Sequence, residues 1–201
     1  MYRVYGDKIS GNCYKIALVM NELALPHEWV DIDIVGGETR TTKFLAMNPN
    51  GRVPVLDLGD GRYLSESNAI IGYLAEGSPL LPVDDFHRAL VYQWMFFEQY
   101  SHEPNIATSR FIMKYLGSPA DKKPALERRR KPGYQALDVM EGQLSTREFL
   151  TGDHFTIADV ALYAYTHVAH EGGFSLKDFP SIRAWLSRVE IRPGYVPMTM
   201  D

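Results

Sequence analysis

Proline interrupts a β-prone run in the segment Asn50–Leu56, and this segment carries the clearest chemical signal in the sequence. Proline has no N–H group to donate, so in a sheet it normally occupies an edge or a bulge. If the Val53–Pro54 peptide bond is cis, the N–H and C=O groups of Val53 face outward and can pair with an extended peptide. An edge-strand proline with a trans bond is the alternative, which the rarity of cis bonds favours when the segment is taken alone.

A second chemical feature follows the next hairpin turn, where a helix is predicted to begin at Ser67 within Glu66-Ser67-Asn68-Ala69-Ile70. Free N–H groups at a helix N-terminus, together with a hydroxyl group, form a site for a carboxylate. Taken alone, Ser67 would be a plain helix cap. Beside the Pro54 segment it predicts a site for an extended peptide that carries a carboxylate, and this context favours the cis form of the Val53–Pro54 bond.

The elements that position these two features alternate between strand and helix over the first third of the chain. Ile16, Val19, Met20 and Leu23 recur at the spacing of one helix face, and Pro26 ends that helix. The predicted order β-α-β-α-β-β-α indicates a small α/β domain. Its elements are expected at Tyr2–Tyr5, from Cys13, and at Val30–Ile34, Thr41–Met47, Val53–Leu58, Arg62–Leu64 and Ser67–Ala75.

The chain changes character at the turn-rich segment Gly77–Pro82, after which no strand pattern occurs. We therefore predict an α/β domain over residues 1–76, a linker over 77–84 and an all-helical domain over 85–201. The first long helix of that domain contains Trp94, and Pro104 should bend it. Further helices are predicted at Leu137–Leu144, Ile157–Val168 and Ile182–Val189.

Composition narrows the function classes. The chain has 201 residues and a formal net charge of −4, and this mild acidity argues against nucleic acid as the main partner. One cysteine cannot form an internal disulfide or a multi-cysteine metal site. No apolar run approaches the roughly 18 residues of a membrane span, and Met1-Tyr2-Arg3 leads directly into a strand-like segment rather than a signal peptide. These features predict a cytoplasmic protein that is not bound to a membrane.

Four short motifs occur in order along the chain: Ser10-x-Asn12, Asn48-Pro49-x-Gly51-x-Val53-Pro54, Glu66-Ser67-x-Ala69-Ile70 and Phe155-Thr156-Ile157-Ala158-Asp159. Together they resemble the cytosolic glutathione S-transferase family, in its bacterial Ser/Thr-x-Asn variant. The resemblance implies a thioredoxin-like N-terminal domain that binds glutathione and an all-α C-terminal domain that supplies a second-substrate pocket. It also implies a homodimeric detoxification enzyme that takes glutathione as co-substrate, with no other cofactor and no metal.

The resemblance assigns the contacts with glutathione to the two chemical features described first. Val53, preceding Pro54, pairs with the cysteinyl backbone of glutathione. Ser67 and the N–H groups around it take the γ-glutamyl carboxylate, and Glu66 faces the ammonium group. The residues expected near the glycyl end are Thr39, Arg40 and Arg52.

The resemblance places the group that activates the glutathione sulfur at Ser10, assisted by Asn12. A hydrogen bond to a charged group is worth about 1.5–3 kcal/mol, and a helix N-terminus adds roughly 0.3–1 kcal/mol. Because about 1.4 kcal/mol corresponds to one pKa unit, these groups can lower the pKa of a thiol by about one to two units from about 8.5. The alternative for Ser10 is a helix cap, and both roles can coexist.

Two other residues compete for the activating role. Tyr5 ends the first predicted strand, but its spacing to the helix matches the tyrosine-dependent members of the family poorly. Cys13 lies in the first turn of the helix, three residues after the position where cysteine-dependent members carry their cysteine, and is read as a small, partly buried helix residue.

The second-substrate pocket is expected in the helical domain. Packing of the aromatic side chains in the core is an equally good account of the aromatic residues there. The pocket candidates are Tyr100, His102, Glu103, Phe111 and Tyr115.

Thr156 and Asp159 fit a capping box that supports the helical core.

The expected activity is attack of a glutathione thiolate on a small electrophile. Glutathione-dependent disulfide reduction and ligand binding without catalysis are the alternatives.

Overall fold

The computed structural model describes residues 1–198, which form two compact units. The first contains Met1–Ser78 together with residues 193–198, and the second contains Pro79–Arg192. The fold class expected from the sequence, a thioredoxin-like domain plus an all-helical domain, is confirmed. Within the described part of the chain, no helix is both long enough and apolar enough to span a bilayer.

A four-stranded sheet in the order β2-β1-β3-β4 forms the centre of the first unit. Strand β1 pairs in parallel with β2 and antiparallel with β3, and β3 pairs antiparallel with β4. The first two helices follow β1 and β2 respectively, and the third follows β4. The elements are β1 (Tyr2–Gly6), α1 (Gly11–Glu22), β2 (His27–Asp31), α2 (Thr42–Met47), β3 (Val55–Asp57), β4 (Tyr63–Ser65) and α3 (Ser67–Ala75).

Helix α1 buries the apolar face predicted from its spacing, with Ile16, Val19 and Met20 completely buried. It packs against α3, which contributes the buried Ile70 and Ile71. Helices α1 and α3, which begin at the Ser10-x-Asn12 and Glu66-Ser67-x-Ala69-Ile70 motifs, therefore pack against each other.

Several strand boundaries differ from the sequence prediction, and two of the differences have identifiable reasons. Strand β2 ends at Asp31 rather than continuing to Ile34, because the Asp33 carboxylate accepts a hydrogen bond from the Gly36 N–H (2.7 Å) and turns the chain. Strand β3 begins at Val55, directly after Pro54, which has no N–H to donate to a sheet.

Hydrogen bonds from α1 hold the segment after Pro193 in the first unit. The Tyr14 hydroxyl donates to the carbonyl of Val196 (2.6 Å), and the Asn21 amide donates to the carbonyl of Gly194 (2.8 Å). Both donors lie on α1, so this helix holds the segment after Pro193.

The second unit is helical throughout its regular structure. Its first helix is regular up to Phe97 and continues as a wider π-helical turn over Glu98–His102, which ends two residues before Pro104. Proline in a helix lacks one N–H and crowds the preceding turn, which accounts for the irregularity at the predicted position. The helices are α4 (Asp85–Phe97), α5 (Glu103–Arg110), α6 (Lys123–Leu144), α7 (Ile157–Thr166) and α8 (Pro180–Glu190).

The capping box predicted at the start of α7 is confirmed. The Thr156 hydroxyl accepts from the Ala158 N–H (3.3 Å), and the Asp159 carboxylate accepts from the Thr156 N–H (3.0 Å). Asp159 is completely buried and also accepts from the Leu150 N–H (2.9 Å) and from the Trp185 Nε1–H (3.0 Å). One carboxylate therefore joins the start of α7, the preceding loop and α8.

Candidate functional site

Ser10 occupies the N-cap position of α1 but does not cap the helix with its side chain. Its backbone carbonyl accepts from the Tyr14 N–H (2.9 Å). The residue is only 9% exposed. Capping of α1 therefore does not account for the serine hydroxyl at this position.

Cys13 is completely buried, and its sulfur accepts a hydrogen bond from the Asp7 N–H (3.4 Å). Burial raises the pKa of the Cys13 thiol to about 12, so the thiol is protonated at neutral pH. Its surroundings are tight, since a Cβ atom added at Gly6 would lie 2.9 Å from the sulfur. A buried, protonated thiol is a poor nucleophile, which argues against a mechanism centred on Cys13.

Tyr5, the other competing residue, is also part of the interior. It is 8% exposed and packs in a buried cluster with Phe44 and Val55. Core packing is therefore sufficient to explain an aromatic residue near the end of β1.

The N-termini of α1 and α3 are joined by a direct hydrogen bond between two of the predicted site residues. The Ser67 hydroxyl donates to the side-chain oxygen Oδ1 of Asn12 (3.0 Å). Ser67 is the first residue of α3, not its cap, and is 5% exposed. The sequence predicted separate roles for these residues, one at each helix, and the fold brings their side chains into contact.

Lys15 extends this contact and was not among the predicted site residues. Its ammonium group donates to the Ser67 hydroxyl (3.3 Å) and to Oδ1 of Asn68 (3.2 Å). A sequence signal was available, because Lys15 follows Asn12 by three residues and positions three apart share a helix face. It could not be interpreted without knowing that α3 lies against that face.

Glu66, the N-cap residue of α3, has a left-handed backbone conformation with φ of 68°. Residues other than glycine adopt such a conformation at a cost of about 1–3 kcal/mol, and cases of this kind cluster at ligand sites. The Glu66 side chain is exposed, while its carbonyl accepts from the Ile70 N–H (2.9 Å). The exposed carboxylate thus lies at the positive end of α3.

The turn before Pro54 is organised by Asn48, which is 3% exposed. Its side-chain amide donates to the Arg52 carbonyl (2.7 Å), and its side-chain oxygen accepts from the Asn50 N–H (3.1 Å). The Val53–Pro54 bond is cis, as the sequence context predicted. Since β3 begins at Val55, the backbone N–H and C=O groups of Val53 lie outside the strand ladder.

Two guanidinium groups belong to the same turn region. Arg40 donates to the Asn50 carbonyl (3.3 Å) and lies over Gly51, where an added Cβ atom would come within 2.4 Å of Arg40 Nη1. Gly51 also has a φ of 63°, so both its backbone and its surroundings favour glycine. Arg52 is exposed, and Thr39 is 5% exposed.

The five residues proposed for the second-substrate pocket differ strongly in exposure. His102 is completely buried, and its Nε2 bonds the Thr166 hydroxyl (2.9 Å). Tyr100 is 87% exposed, and Glu103 accepts from the Gln99 amide (2.6 Å). Phe111 and Tyr115 stack with ring centroids 5.1 Å apart and both retain exposed surface.

The described residues contain no group of three or more His, Cys, Asp or Glu side chains that could hold a metal ion.

Comparison with known proteins identifies the family. Residues 9–76 match the glutathione S-transferase N-terminal domain, and residues 94–193 match the glutathione S-transferase C-terminal domain. The chain is 57% identical to a glutathione S-transferase of known structure from Pseudomonas fluorescens, with a TM-score of 0.96 and 98% of each chain covered. It is 32% identical to glutathione S-transferase 3 from Zea mays, over 96% of this chain and 90% of that protein. The chain therefore belongs to the glutathione S-transferase family.

One further relative is described as a transcriptional regulator and not as a transferase. The chain is 28% identical to the transcriptional regulator URE2 of Saccharomyces cerevisiae, over 97% of this chain and 66% of that protein. It also resembles a solved structure of Ure2p in complex with glutathione, with 27% identity, a TM-score of 0.83 and coverage of 96% of this chain and 90% of that one. Ure2p, which this chain resembles, is thus known with glutathione bound.

Proposed function

We propose that this protein is a glutathione transferase that binds glutathione in its first unit and holds the sulfur as a thiolate for attack on a small electrophile. The observation that carries the proposal is the hydrogen bond between Ser67 and Asn12. It joins the residue expected to bind the carboxylate to one of the residues expected to stabilise the sulfur. In the reaction the thiol loses its proton to solvent, the thiolate forms a carbon–sulfur bond, and the leaving group departs with its electron pair.

The glutathione molecule would be held along its length by backbone and charged groups. Val53, outside the strand ladder and preceding Pro54, would pair with the cysteinyl backbone. The first N–H groups of α3, around Ser67, would bind the γ-glutamyl carboxylate, since free N–H groups and the helix dipole favour an anion there. The exposed Glu66 carboxylate would face the γ-glutamyl ammonium. The glycyl carboxylate would lie near Thr39, Arg40 and Arg52.

The sulfur would lie at the start of α1, where Ser10 and Asn12 can donate hydrogen bonds to an anion. The helix N-terminus adds to the same effect. Much of the catalysis would therefore come from lowering the thiol pKa and from holding the thiolate in place.

The second substrate would bind to the helical unit. Tyr100, Glu103, Phe111 and Tyr115 retain exposed surface for such a contact. His102, buried against Thr166, would support this surface from within the unit.

Thermal unfolding with and without ligand tests the glutathione site. A ligand at 100 times its Kd stabilises the folded state by about 2.7 kcal/mol. Both glutathione and S-methylglutathione should give this increase, because the contacts at Val53 and Ser67 do not involve the sulfur. Glu66→Ala should reduce the increase. The proposed site is wrong if neither molecule changes the melting temperature.

Turnover assays then separate the three functions that this scaffold can support. A transferase conjugates glutathione to an aryl halide. A disulfide reductase instead forms a mixed disulfide, which a second glutathione resolves to glutathione disulfide and free thiol. Binding of glutathione with neither turnover would indicate a non-catalytic role, an alternative that the similarity to a transcriptional regulator keeps open.

We further propose that the protein is a twofold homodimer acting in the cytoplasm, in detoxification. The faces expected to pair are Ala69–Tyr73 on α3 and Leu90–Phe97 on α4. They expose large apolar side chains, with Tyr73 at 45% and Phe96 at 72%. Sedimentation equilibrium at micromolar concentration should give twice the 22.8 kDa mass of the chain. A species of 22.8 kDa would contradict the dimer.

A further inference from the structure

Lys15 is a completely buried lysine in the middle of α1. Lysine is almost never fully buried unless its charge and its N–H donors are accommodated by partners. Here the ammonium group donates to Ser67 Oγ (3.3 Å) and to Asn68 Oδ1 (3.2 Å). Both acceptors lie in the first turn of α3, where the γ-glutamyl carboxylate is proposed to bind, so this buried charge lies directly beneath the candidate site.

The ammonium group fixes the direction of the next hydrogen bond. A lysine ammonium donates hydrogen bonds and cannot accept them. The Ser67 oxygen is therefore the acceptor from Lys15, and its own proton is directed to Asn12 Oδ1, 3.0 Å away. The chain of donors runs from Lys15 through Ser67 to Asn12.

The orientation of the Asn12 amide follows from this direction. Because Oδ1 faces Ser67, the NH₂ group of Asn12 points away from Ser67 within the amide plane. The NH₂ group is the only part of an asparagine side chain that can donate to a thiolate. Reversal of the amide would place its NH₂ group against the Ser67 hydroxyl and present an oxygen to the sulfur, which would repel a thiolate.

We propose that Lys15 is a positioning residue of the glutathione site, which acts through Ser67 to keep the donor side of Asn12 directed at the sulfur. This inference rests on the proposed function and deepens it. Lys15 itself need not touch glutathione. Its removal should allow the Ser67 hydroxyl to rotate and the Asn12 amide to lose its fixed orientation.

Lys15→Met tests this role, because methionine has a similar length and is compatible with a buried site. The pKa of the thiol of bound glutathione should rise by about one unit, which corresponds to roughly tenfold less thiolate well below that pKa. The rate at neutral pH should fall accordingly and recover as the pH rises through the new pKa. Lys43→Met, at an exposed position on α2, is the matched control and should leave the pH–rate profile unchanged.

A comparison of two ligands separates positioning from a general loss of the site. S-methylglutathione has no thiol to ionise, so any damage to the peptide and carboxylate contacts weakens both ligands. Lys15→Met should weaken glutathione more than S-methylglutathione near neutral pH, and the ratio of the two Kd values should change by several-fold. An equal loss for both ligands would contradict a role through the sulfur.

Coupling between variants tests the route through Ser67. In an Asn12→Ala background, Lys15→Met should add little to the thiol pKa, because the residue through which it acts is gone. Ser67→Ala interrupts the same route without burying a new side chain, so it provides the test if Lys15→Met does not fold. Full additivity with Asn12→Ala, or an unchanged thiol pKa in Ser67→Ala, would overturn the inference.

Failure of this inference and failure of the proposed function can be told apart with the unsubstituted protein. If the unsubstituted protein binds glutathione as a thiolate, and the Lys15 and Ser67 variants bind it with the same thiol pKa, only the role of Lys15 is wrong. If it does not bind glutathione at all, the proposed function is wrong.

Discussion

Ser10→Ala should raise the pKa of the thiol of bound glutathione by roughly one unit or more, because a hydrogen bond to a thiolate is worth about 1.5–3 kcal/mol. Turnover near neutral pH should fall more than glutathione affinity, since the contacts of the peptide backbone and the carboxylates remain. Asn12→Ala should shift the pKa in the same direction. If both side chains address one sulfur, the double variant should show less than the sum of the two shifts. The pH dependence of kcat/KM and the ultraviolet absorbance of the bound thiolate provide the measurements.

Cys13→Ala is the control for these variants. The Cys13 thiol is completely buried and its raised pKa keeps it protonated, so its removal should leave the pH–rate profile nearly unchanged. Loss of turnover in Cys13→Ala, with normal turnover in Ser10→Ala, would instead indicate thiol exchange at Cys13 through a mixed disulfide with glutathione. Normal profiles in Ser10→Ala and Cys13→Ala would leave Tyr5 as the remaining candidate.

Asp159→Ala should be the most destabilising single substitution considered in the helical unit. The change removes the Asp159 half of the capping box, while the Thr156 hydroxyl still caps α7. It leaves the buried N–H groups of Leu150, Thr156 and Trp185 without their acceptor, and each buried unsatisfied donor costs about 1–3 kcal/mol. We expect the free energy of unfolding in urea to fall by about 3–5 kcal/mol. Asp153→Ala, at an exposed position in the same loop, should change it by less than about 0.5 kcal/mol.

The titration of Asp159 gives this prediction a pH dependence. Burial raises the pKa of the Asp159 carboxyl from 3.8 to about 6, so the folded state holds the proton over a range in which the unfolded state has lost it. The contribution of this group to stability therefore falls as the pH rises from about 4 to about 6. Burial lowers the pKa of His167 from 6.5 to about 4, which produces the opposite slope in the same range. The difference in unfolding free energy between the natural protein and Asp159→Asn isolates the Asp159 slope, and a difference independent of pH would contradict it.

The sequence predicted most of the elements that hold the site. The predicted bounds of α3, Ser67–Ala75, are those observed, because the helix starts after a hairpin and ends before a turn-rich segment that can be read directly. The predicted end of β2, at Ile34, was wrong. The alternation of Ile32 and Ile34 with aspartates continues in the sequence, although the Asp33 side chain has already turned the backbone there. A local pattern carries no information about which backbone group a side chain will bond.

The contacts within the candidate site were harder to predict than its members. Asn12 and Ser67 are separated by 55 residues, and only the packing of α1 against α3 places their side chains 3.0 Å apart. Lys15 was not assigned to the site for the same reason, since a lysine in a helix is normally exposed. Its partners, Ser67 and Asn68, belong to an element whose position follows from the fold and not from local sequence.

Spectroscopic titration of glutathione bound to the unsubstituted protein tests the central claim most directly. The S-methylglutathione complex provides the blank, because it occupies the same contacts and has no thiol to ionise. The account predicts saturable binding and a thiol pKa about one to two units below the value of about 8.5 for a free cysteine thiol, so that the thiolate is the main form near neutral pH. Bound glutathione that titrates with the pKa of the free molecule, or no saturable binding, would contradict the account.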